Sequence, residues 1–538
     1  MQLVSLLRRV RAGALTNSLI VMGGFVLSRA TGVLRDIIAS FFFGTLPQMT
    51  AYRAAFQIVD LLYLVIIGGA LGSSFIPVFI QIWERDGEER AWDLAGAVLT
   101  WALLALALAS GLIFAAAPWL VHVVYGGQGF EPTTLDLIVQ LARLFLLSPL
   151  LLGLGGLAMA ALNARDRFAM PALAPSIYNL GIIAGALCAP WLGIWGMAWG
   201  VVAGALCYVL VQLPALRGIG ARLRPGLGRD MGEIGTVGRQ MGPRVLGQAA
   251  AHLSVIATSA LAARLPDGDA KIAGLSYAYQ LMLLPFGIFS LSLSQVAFPR
   301  LARLVAEGQL PELAADVRRT LGTILWLTLP ATAALLALGA PAARALFEHG
   351  AFNSLSLHYT TLALAGYAAA LPAFAASEIL IRSFYALQRT WTPVLVGMFQ
   401  VALNLSVGAW LLGHGGDIGA LALSFSLANN VEALLLFLLL GAALPGLWRD
   451  AGLWRILATA GLAALALGGM LEAARNLSAP LIPALAADHS YAWRSEILPL
   501  LLWLTVVGAL GATIYLGLTA ALGAAPARTA LVRLRRGR

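Results

Sequence analysis

Residues 94–117 read LAGAVLTWALLALALASGLIFAAA, with no charged residue among them. A helix needs about 20 predominantly apolar residues to cross a bilayer. A run of this length cannot be a membrane strand, because such strands are about 10 residues long and alternate in polarity. We therefore predict a membrane-spanning helix over 92–117.

The rest of the 538-residue chain has the same character, with 60% hydrophobic and 11% charged residues. Soluble domains are typically about 25% charged, so this chain cannot cover a water-facing surface. The net charge of +10 does not indicate nucleic-acid binding, because the excess lies in short connections and tails, as membrane topology favours. Cys188 and Cys207 have no disulfide or metal-ligand spacing.

Apolar runs of similar length predict an all-α polytopic membrane protein with about fourteen spanning helices. The first run is too long for a cleaved signal peptide, whose apolar core is about 7–15 residues. The predicted helices lie near 17–43, 53–82, 92–117, 134–162, 171–190, 193–215, 240–263, 272–299, 320–343, 357–381, 392–413, 418–441, 453–474 and 497–522.

Lysine and arginine predict the orientation, because cytoplasmic connections are enriched in both. If the N-terminus is inside, most of the 35 Lys and Arg residues fall in cytoplasmic segments. The outer segments then hold Arg53, Arg264, Lys271, Arg344, Arg475 and Arg494. We predict a multi-pass protein of the bacterial cytoplasmic membrane with both termini cytoplasmic and a basic tail, 526–538, lying on anionic lipid.

Two proline pairs indicate an internal repeat. Pro77 and Pro299 are 222 residues apart, and so are Pro171 and Pro393. Because each repeat holds six helices, both enter the membrane from the same side, which predicts a parallel repeat around a central cavity. The predicted parts are an N-lobe (1–216), a C-lobe (217–445) and two further helices (446–525).

Helix 1 carries the densest polar set within a span, SRATGVLRD from Ser28 to Asp36. An ionisable residue in a span costs at least about 2.5–3.5 kcal/mol on insertion scales, so it is a functional candidate. Arg29 and Asp36 share one helix face, Ser28 and Arg35 share another, and Gly32 leaves room for a backbone or a ligand. The set indicates either a cavity for an anion such as phosphate or an internal Arg–Asp pair.

Other ionisable residues within spans are weaker candidates. Arg53 and Asp60 share a face of helix 2, where Arg53 either faces the cavity or extends to the outer interface. The acidic candidates serve either in proton or cation coupling or as buried carboxyl groups. Further cavity charges are Arg143 and Arg244, and the coupling candidates are Glu378 and Glu432.

Catalytic and metal-binding motifs are missing from the sequence. It has no Walker loop, HExxH, GxSxG or carboxylate pair in an aqueous loop, and its histidines lack ligand spacing. We therefore predict a transporter without catalytic residues, metal or cofactor. Coupling to membrane potential, H⁺ or Na⁺ is left open.

These residues resemble the MurJ (MviN) family of lipid II flippases, within the MATE-like exporter superfamily. The resemblance implies a cavity that binds the pyrophosphate and sugar–peptide head of lipid II, with the last two helices forming a groove for the polyprenyl tail. In helix 8 the family has an acidic residue followed by an arginine, and this chain has Tyr279-Gln280 at that place. Gln280 is therefore kept as a candidate substrate contact. The segments that carry the resemblance are Ser28-Arg29, Gly32, Arg35-Asp36, Gly69-Ala70, Phe75-Ile76-Pro77, Asn163, Arg167-Phe168, Pro171-Ala172, Ala174-Pro175, Asn179, Gln240-Met241-Gly242-Pro243, Pro299, Leu346-Phe347, Gly350, Phe352, Phe384-Tyr385 and Thr392-Pro393-Val394.

Other functions stay open at this point. The cargo could be another polyprenyl-pyrophosphate-linked saccharide, or the chain could be a multidrug antiporter of the same superfamily, although a cationic drug would favour an acidic cavity. A membrane enzyme and a scaffold for cell-wall enzymes are more distant alternatives. The expected partners are lipid II or a related lipid, membrane lipids and cell-wall synthesis enzymes, and we expect a monomer.

Overall fold

Helices make up almost all of the described secondary structure. The computed structural model describes residues 2–63, 75–127, 130–228, 232, 234–235, 249, 252–448, 451–486 and 491–536. The chain divides into two compact units, Met1–Ile256 and Ala257–Arg538. The predicted lobe boundaries at 216, 445 and 525 stay predictions.

The first unit contains eleven of the helices, because α11 begins before the unit boundary. They are α1 (Gln2–Phe43), α2 (Pro47–Tyr63), α3 (Ile76–Asp86), α4 (Glu88–Tyr125), α5 (Pro132–Phe145), α6 (Leu147–Ala164), α7 (Ala169–Leu187), α8 (Ala189–Leu192), α9 (Ile194–Leu210), α10 (Leu213–Gly218) and α11 (His252–Ala262).

The second unit continues from within α11. Its helices are α12 (Gly268–Pro285), a π-helical turn (Phe286–Leu291), α13 (Ser292–Ala306), α14 (Leu310–Phe347), α15 (Ser354–Ala368), α16 (Leu371–Ala386), α17 (Trp391–Gly413), α18 (Ile418–Ala443), α19 (Ala451–Ser478), a 3-10 turn (Pro483–Leu485), α20 (Trp493–Ala521) and α21 (Ala525–Arg536).

Most of the predicted spans are present as apolar helices. Within the described ranges, ten helices or continuous helix pairs are long and apolar enough to cross a membrane, and the bent pair α15–α16 makes eleven if it is one span. The predicted span 17–43 lies within α1, while 53–82 and 240–263 each include residues outside the described ranges. The all-α polytopic membrane fold is therefore confirmed.

Several of the spans predicted as continuous helices are interrupted. The span 134–162 is interrupted between Phe145 and Leu147, and 357–381 bends by 50° between α15 and α16. A proline clashes with the carbonyl four residues before it and donates no hydrogen bond. Pro149 and Pro372 stand four residues after Phe145 and Ala368, the last residues of α5 and α15. The prolines account for both breaks.

The 222-residue repeat recurs in the backbone conformation. Asp166 and Gln388 both have left-handed backbones, with φ of 55° and 59°, although neither is glycine. Gly193 and Gly415 have φ of 57° and 83°. Each pair is 222 residues apart, and its members follow corresponding helices.

Aromatic contacts repeat at the same offset. Tyr125, at the end of α4, lies 6.1 Å from Phe130 between ring centroids. Phe347, at the end of α14, lies 5.8 Å from Phe352. Both ring pairs close the turn after a long helix, so the repeat seen in the prolines extends to the packing of each unit.

Glycines let α7 approach its neighbours closely enough to place the site described below. A Cβ at Gly24 of α1 would lie 2.5 Å from the carbonyl oxygen of Ala172. A Cβ at Gly181 of α7 would lie 2.4 Å from the Cα of Gly204 on α9. Small residues at helix contacts permit this kind of backbone approach, so α1, α7 and α9 form one packed layer.

Candidate functional site

Asp36 is the centre of a polar cluster inside the first unit. Its Oδ1 accepts a hydrogen bond from Nη2 of Arg35 and another from Nη2 of Arg53, both at 3.1 Å. The Arg35 side chain is 18% exposed, Asp36 7% and Arg53 12%. A single carboxylate of α1 therefore holds two guanidinium groups and joins α1 to α2.

The pairs suggested by seven-residue spacing do not form. Residues seven apart share a face but lie about 10 Å apart along the helix axis. Asp36 pairs with Arg35 and, across the helices, with Arg53 rather than with Arg29. Arg53 also does not merely extend to the interface, because it bonds to a buried carboxylate.

Asn179 of α7 organises the other side of Arg35. Its Oδ1 accepts a hydrogen bond from Nη1 of Arg35 at 3.1 Å. Its Nδ2 donates to the carbonyl of Ser28 at 3.2 Å and to Oγ1 of Thr31 at 3.3 Å. The side chain of Arg35 is thus held between a carboxylate and an amide, which positions its guanidinium group.

Gly32 lies beside the Asn179 amide. The sequence suggested that this glycine leaves room for a neighbouring backbone or a ligand. A Cβ at Gly32 would lie 3.6 Å from Nδ2 of Asn179, which is an ordinary contact. The close backbone approach on α1 is at Gly24 instead. Gly32 therefore keeps the surroundings of Asn179 open without being required by helix packing.

Arg29 contacts an aromatic ring of its own helix. Its guanidinium carbon lies 5.3 Å from the ring centroid of Phe25, and the residue is half-buried. Within the described residues, no carboxylate comes within ion-pair distance of Arg29. It lies about 9 Å along the helix axis from Arg35.

The cluster therefore has an excess of positive charge. Arg35 and Arg53 share the carboxylate of Asp36, and Arg29 has no carboxylate within ion-pair distance among the described residues. Uncompensated charge within a membrane span is costly, so it is retained where a cavity or a ligand receives it. Guanidinium groups bind phosphate oxygens through paired, charge-assisted hydrogen bonds. The arrangement can bind a phosphate-bearing anion.

Asp60 forms a second, separate contact in this unit. Its Oδ2 lies 3.3 Å from Nε2 of His252, the first residue of α11. The two side chains are 38% and 32% exposed, far more than Asp36. Arg53 and Asp60, predicted to share a face of α2, thus contact two different partners, Asp36 and His252.

Arg143 contacts α4 and not the Asp36 cluster. Its Nε donates to the carbonyl of Phe114 at 3.2 Å, and its guanidinium group lies 4.7 Å from the Phe114 ring centroid. Its predicted role as a cavity charge stays a prediction. Arg244 and the Gln240–Pro243 motif lie outside the described residues.

The acidic and amide candidates of the second unit lie on three helices, α16, α18 and α12. Glu378 of α16 accepts hydrogen bonds from Arg382 at 2.9 and 2.6 Å. In the described part of this unit, no ion pair or hydrogen bond involves the side chain of Glu432 on α18 or of Gln280 on α12. Both side chains are half-buried. The coupling and substrate roles of these three residues stay predictions.

Three contributors were missed as site residues in the sequence. Asn179 entered only as a match to a family motif, and nothing in its neighbours reveals a contact across 144 residues with Arg35. His252 was not singled out, because one histidine without ligand spacing carries no signal. Arg382 could have been found, since Glu378 precedes it by four residues on one helix face.

Comparisons with known proteins show the family to which the chain is similar. The family model "Lipid II flippase MurJ" matches residues 38–478. The chain is 29% identical over 477 residues to the lipid II flippase MurJ of Burkholderia cenocepacia, covering 85% of this chain and 90% of that protein. It is 28% identical over 421 residues to the probable lipid II flippase MurJ of Buchnera aphidicola, covering 76% and 80%.

Solved structures show the same fold. An inward closed conformation of a lipid II flippase MurJ superposes with a TM-score of 0.72 at 21% identity, covering 92% of this chain and 98% of the other. An inward-facing multidrug MATE transporter of the MOP superfamily gives 0.66 at 14% identity, covering 80% and 99%. At these identities the likeness concerns the fold alone.

Proposed function

The chain belongs to the MurJ family of lipid II flippases, and we propose that it moves lipid II from the cytoplasmic to the outer leaflet. Members of this family are transporters and not enzymes. The cargo would be a polyprenyl pyrophosphate that bears a sugar–peptide head. The proposal places the protein in the bacterial inner membrane with both termini cytoplasmic.

The observation that carries the proposal is the excess of cations around Asp36. A pyrophosphate diester has two negative charges that can be shared between guanidinium groups. Arg29 has no competing carboxylate, so it would meet the anion first. Arg35, held by Asn179, would then exchange part of its contact with Asp36 for a phosphate oxygen.

This exchange would make binding reversible. Asp36 already neutralises part of the charge on Arg35 and Arg53. The binding free energy of the head group is therefore only the difference between the arginine–phosphate contacts that form and the arginine–Asp36 contacts that are lost. Cargo held by that difference can be released after the access to the site alternates between the two sides. Helices α19 and α20 would form the groove for the polyprenyl tail, and a monomer would suffice.

Rescue of a strain depleted of its lipid II flippase tests the proposal. The intact chain should restore growth, while Arg29→Ala and Arg35→Ala should lose rescue although they still insert into the membrane. Arg143→Ala is the matched control, because it also removes an arginine within a span but one that bonds to a helix carbonyl. It should rescue normally.

Other outcomes would contradict specific parts of the proposal. Normal rescue by both Arg29→Ala and Arg35→Ala would refute the site. Failure of the intact, inserted chain would refute lipid II as cargo, and purified protein in vesicles would then be assayed with another polyprenyl-pyrophosphate saccharide and with a cationic drug. Transport of the drug alone would favour the multidrug antiporter.

A further inference from the structure

The contact between Asp60 and His252 has no role in the proposed exchange at Asp36. It joins α2 to α11 within the first unit, through Oδ2 and Nε2 at 3.3 Å. About a third of each side chain is exposed, so water and protons can reach the pair. It is thus a titratable contact near the cluster but outside it.

Histidine is the side chain that ordinarily changes charge between pH 5 and 8. When Asp60 is ionised, the neutral ring of His252 carries its proton on Nε2 and donates it to the carboxylate. A further proton would then bind to Nδ1, whose hydrogen-bonding capacity is unused among the described residues. Proton binding would convert the pair from net charge −1 to zero.

Several ionisable groups lie on the elements around the pair. Asp60 follows Arg53 by seven residues on α2, so the two residues share one helix face and lie about 10 Å apart along its axis. The pair is therefore close enough for its charge to act on Arg53, which bonds to Asp36 in the cationic cluster. The groups on α2 and its neighbours are Tyr52 and Arg53 on α2, Arg35 and Asp36 on α1, Tyr125 on α4, Arg143 on α5, Tyr178 on α7 and Tyr208 on α9.

The sign of the linkage follows from the charges. With His252 neutral, the carboxylate of Asp60 repels an incoming anion. Protonation of His252 cancels that charge and strengthens the attraction of the site for a pyrophosphate. By thermodynamic reciprocity, the bound anion raises the proton affinity of the pair by the same factor.

We propose that Asp60 and His252 form a proton-binding site that is positively linked to binding of the anionic head group. This inference rests on the proposed function, because it takes the pyrophosphate cluster as the linked site. The proton is bound and released without a covalent step. The pair would make cargo affinity depend on the local pH.

Binding of purified lipid II to the full chain in nanodiscs, at pH 6.0 and pH 7.5, tests the linkage. The wild type should bind at least about fivefold more tightly at pH 6.0, at the low end of measured couplings. His252→Gln keeps an N–H donor for Asp60 but cannot take up the proton, so its affinities at the two pH values should be nearly equal.

His122→Gln is the matched control, because His122 also belongs to the first unit but bonds to the Pro118 carbonyl at the exposed end of α4. It should keep the wild-type pH dependence. A wild-type pH response in His252→Gln would overturn the inference, and so would equal wild-type affinities at both pH values.

A measurement without cargo separates this inference from the proposed function. Hydrogen–deuterium exchange of α2 and α11 is compared between wild type and His252→Gln at each pH, so that the intrinsic pH dependence cancels. A difference that grows between pH 7.5 and 6.0 supports the proton site even if lipid II does not bind. Identical exchange at both pH values would overturn the proton site, whereas absence of lipid II binding alone would overturn the proposed function.

Discussion

Replacing Arg344 with methionine should release the connection between α19 and α20 from the end of α14. Nε of Arg344 donates to Oε2 of Glu348 at 2.6 Å. Its Nη1 donates to the carbonyls of Ala484 and Ala486 at 2.6 and 2.7 Å. The side chains of Arg344 and Glu348 are only 4% and 8% exposed. One buried cation thus ties the connection between α19 and α20 to the end of α14.

The expected magnitude follows from this burial. Removing one partner of a buried ion pair costs about 3–5 kcal/mol, because the other charge is left without compensation. In Arg344→Met that charge is Glu348, and two carbonyls also lose their donor. Every 1.4 kcal/mol is a factor of ten in an equilibrium constant. The population with the connection detached should rise about 10²- to 10³·⁵-fold.

Limited trypsin digestion in nanodiscs measures this population. Arg494 lies exposed in the first turn of α20, directly after the connection. Cleavage follows the open population when opening and closing are fast relative to cleavage. The rate of cleavage at Arg494 should rise in Arg344→Met, while cleavage at the exposed Arg264 serves as an internal reference.

Two variants decide between explanations. Arg382→Met removes another arginine of the same unit, a more exposed one at 24% that pairs with Glu378 on its own helix, and should change cleavage little. Arg344→Met combined with Glu348→Leu removes both charges and should cleave more slowly than Arg344→Met alone. Wild-type cleavage in Arg344→Met would refute the reasoning, and an equally fast double variant would assign the effect to the carbonyl contacts.

Three further predictions concern the Asp36 cluster, the packing of α7 against α9, and His349 between α14 and α15. Asp36→Asn should bind lipid II more tightly, because the phosphate no longer competes with a carboxylate for the arginines. Its free energy of unfolding should fall by about 3–5 kcal/mol. Weaker binding of lipid II would contradict this prediction. Gly204→Val should destabilise the α7–α9 contact by at least about 1–3 kcal/mol, because a Cβ at Gly204 would lie 2.5 Å from the Tyr178 carbonyl oxygen. An unchanged thermal unfolding temperature would be inconsistent with this close approach. Burial lowers the pKa of His349, so His349 binds a proton more tightly in the unfolded protein than in the folded protein. The contribution of His349 to the free energy of unfolding should therefore be complete above about pH 6.5 and decrease as the pH falls. His349→Gln should reduce this pH dependence when unfolding is measured at pH 7.5 and 5.5.

The candidate site was only partly predictable from the sequence. Arg35, Asp36 and Arg53 stood out because charges within spans are rare. Their partners did not, because hydrogen bonding between α1, α2 and α7 depends on helix rotation and crossing, which helical periodicity along one segment does not specify. Asn179 and His252 are ordinary residues until packing brings each to a charged group.

The sequence by itself determined that this protein is a bundle of membrane helices, since helices and closed barrels alone satisfy their backbone hydrogen bonds in lipid and the apolar runs are too long for barrel strands. It also determined the internal repeat, because prolines and turn residues act on the local backbone. Only the tertiary structure decided that Asp36 joins Arg35 to Arg53 and that Asp60 contacts His252. Those choices depend on distances of a few ångströms between helices, and electrostatic and hydrogen-bond energies are sensitive to distances of that size.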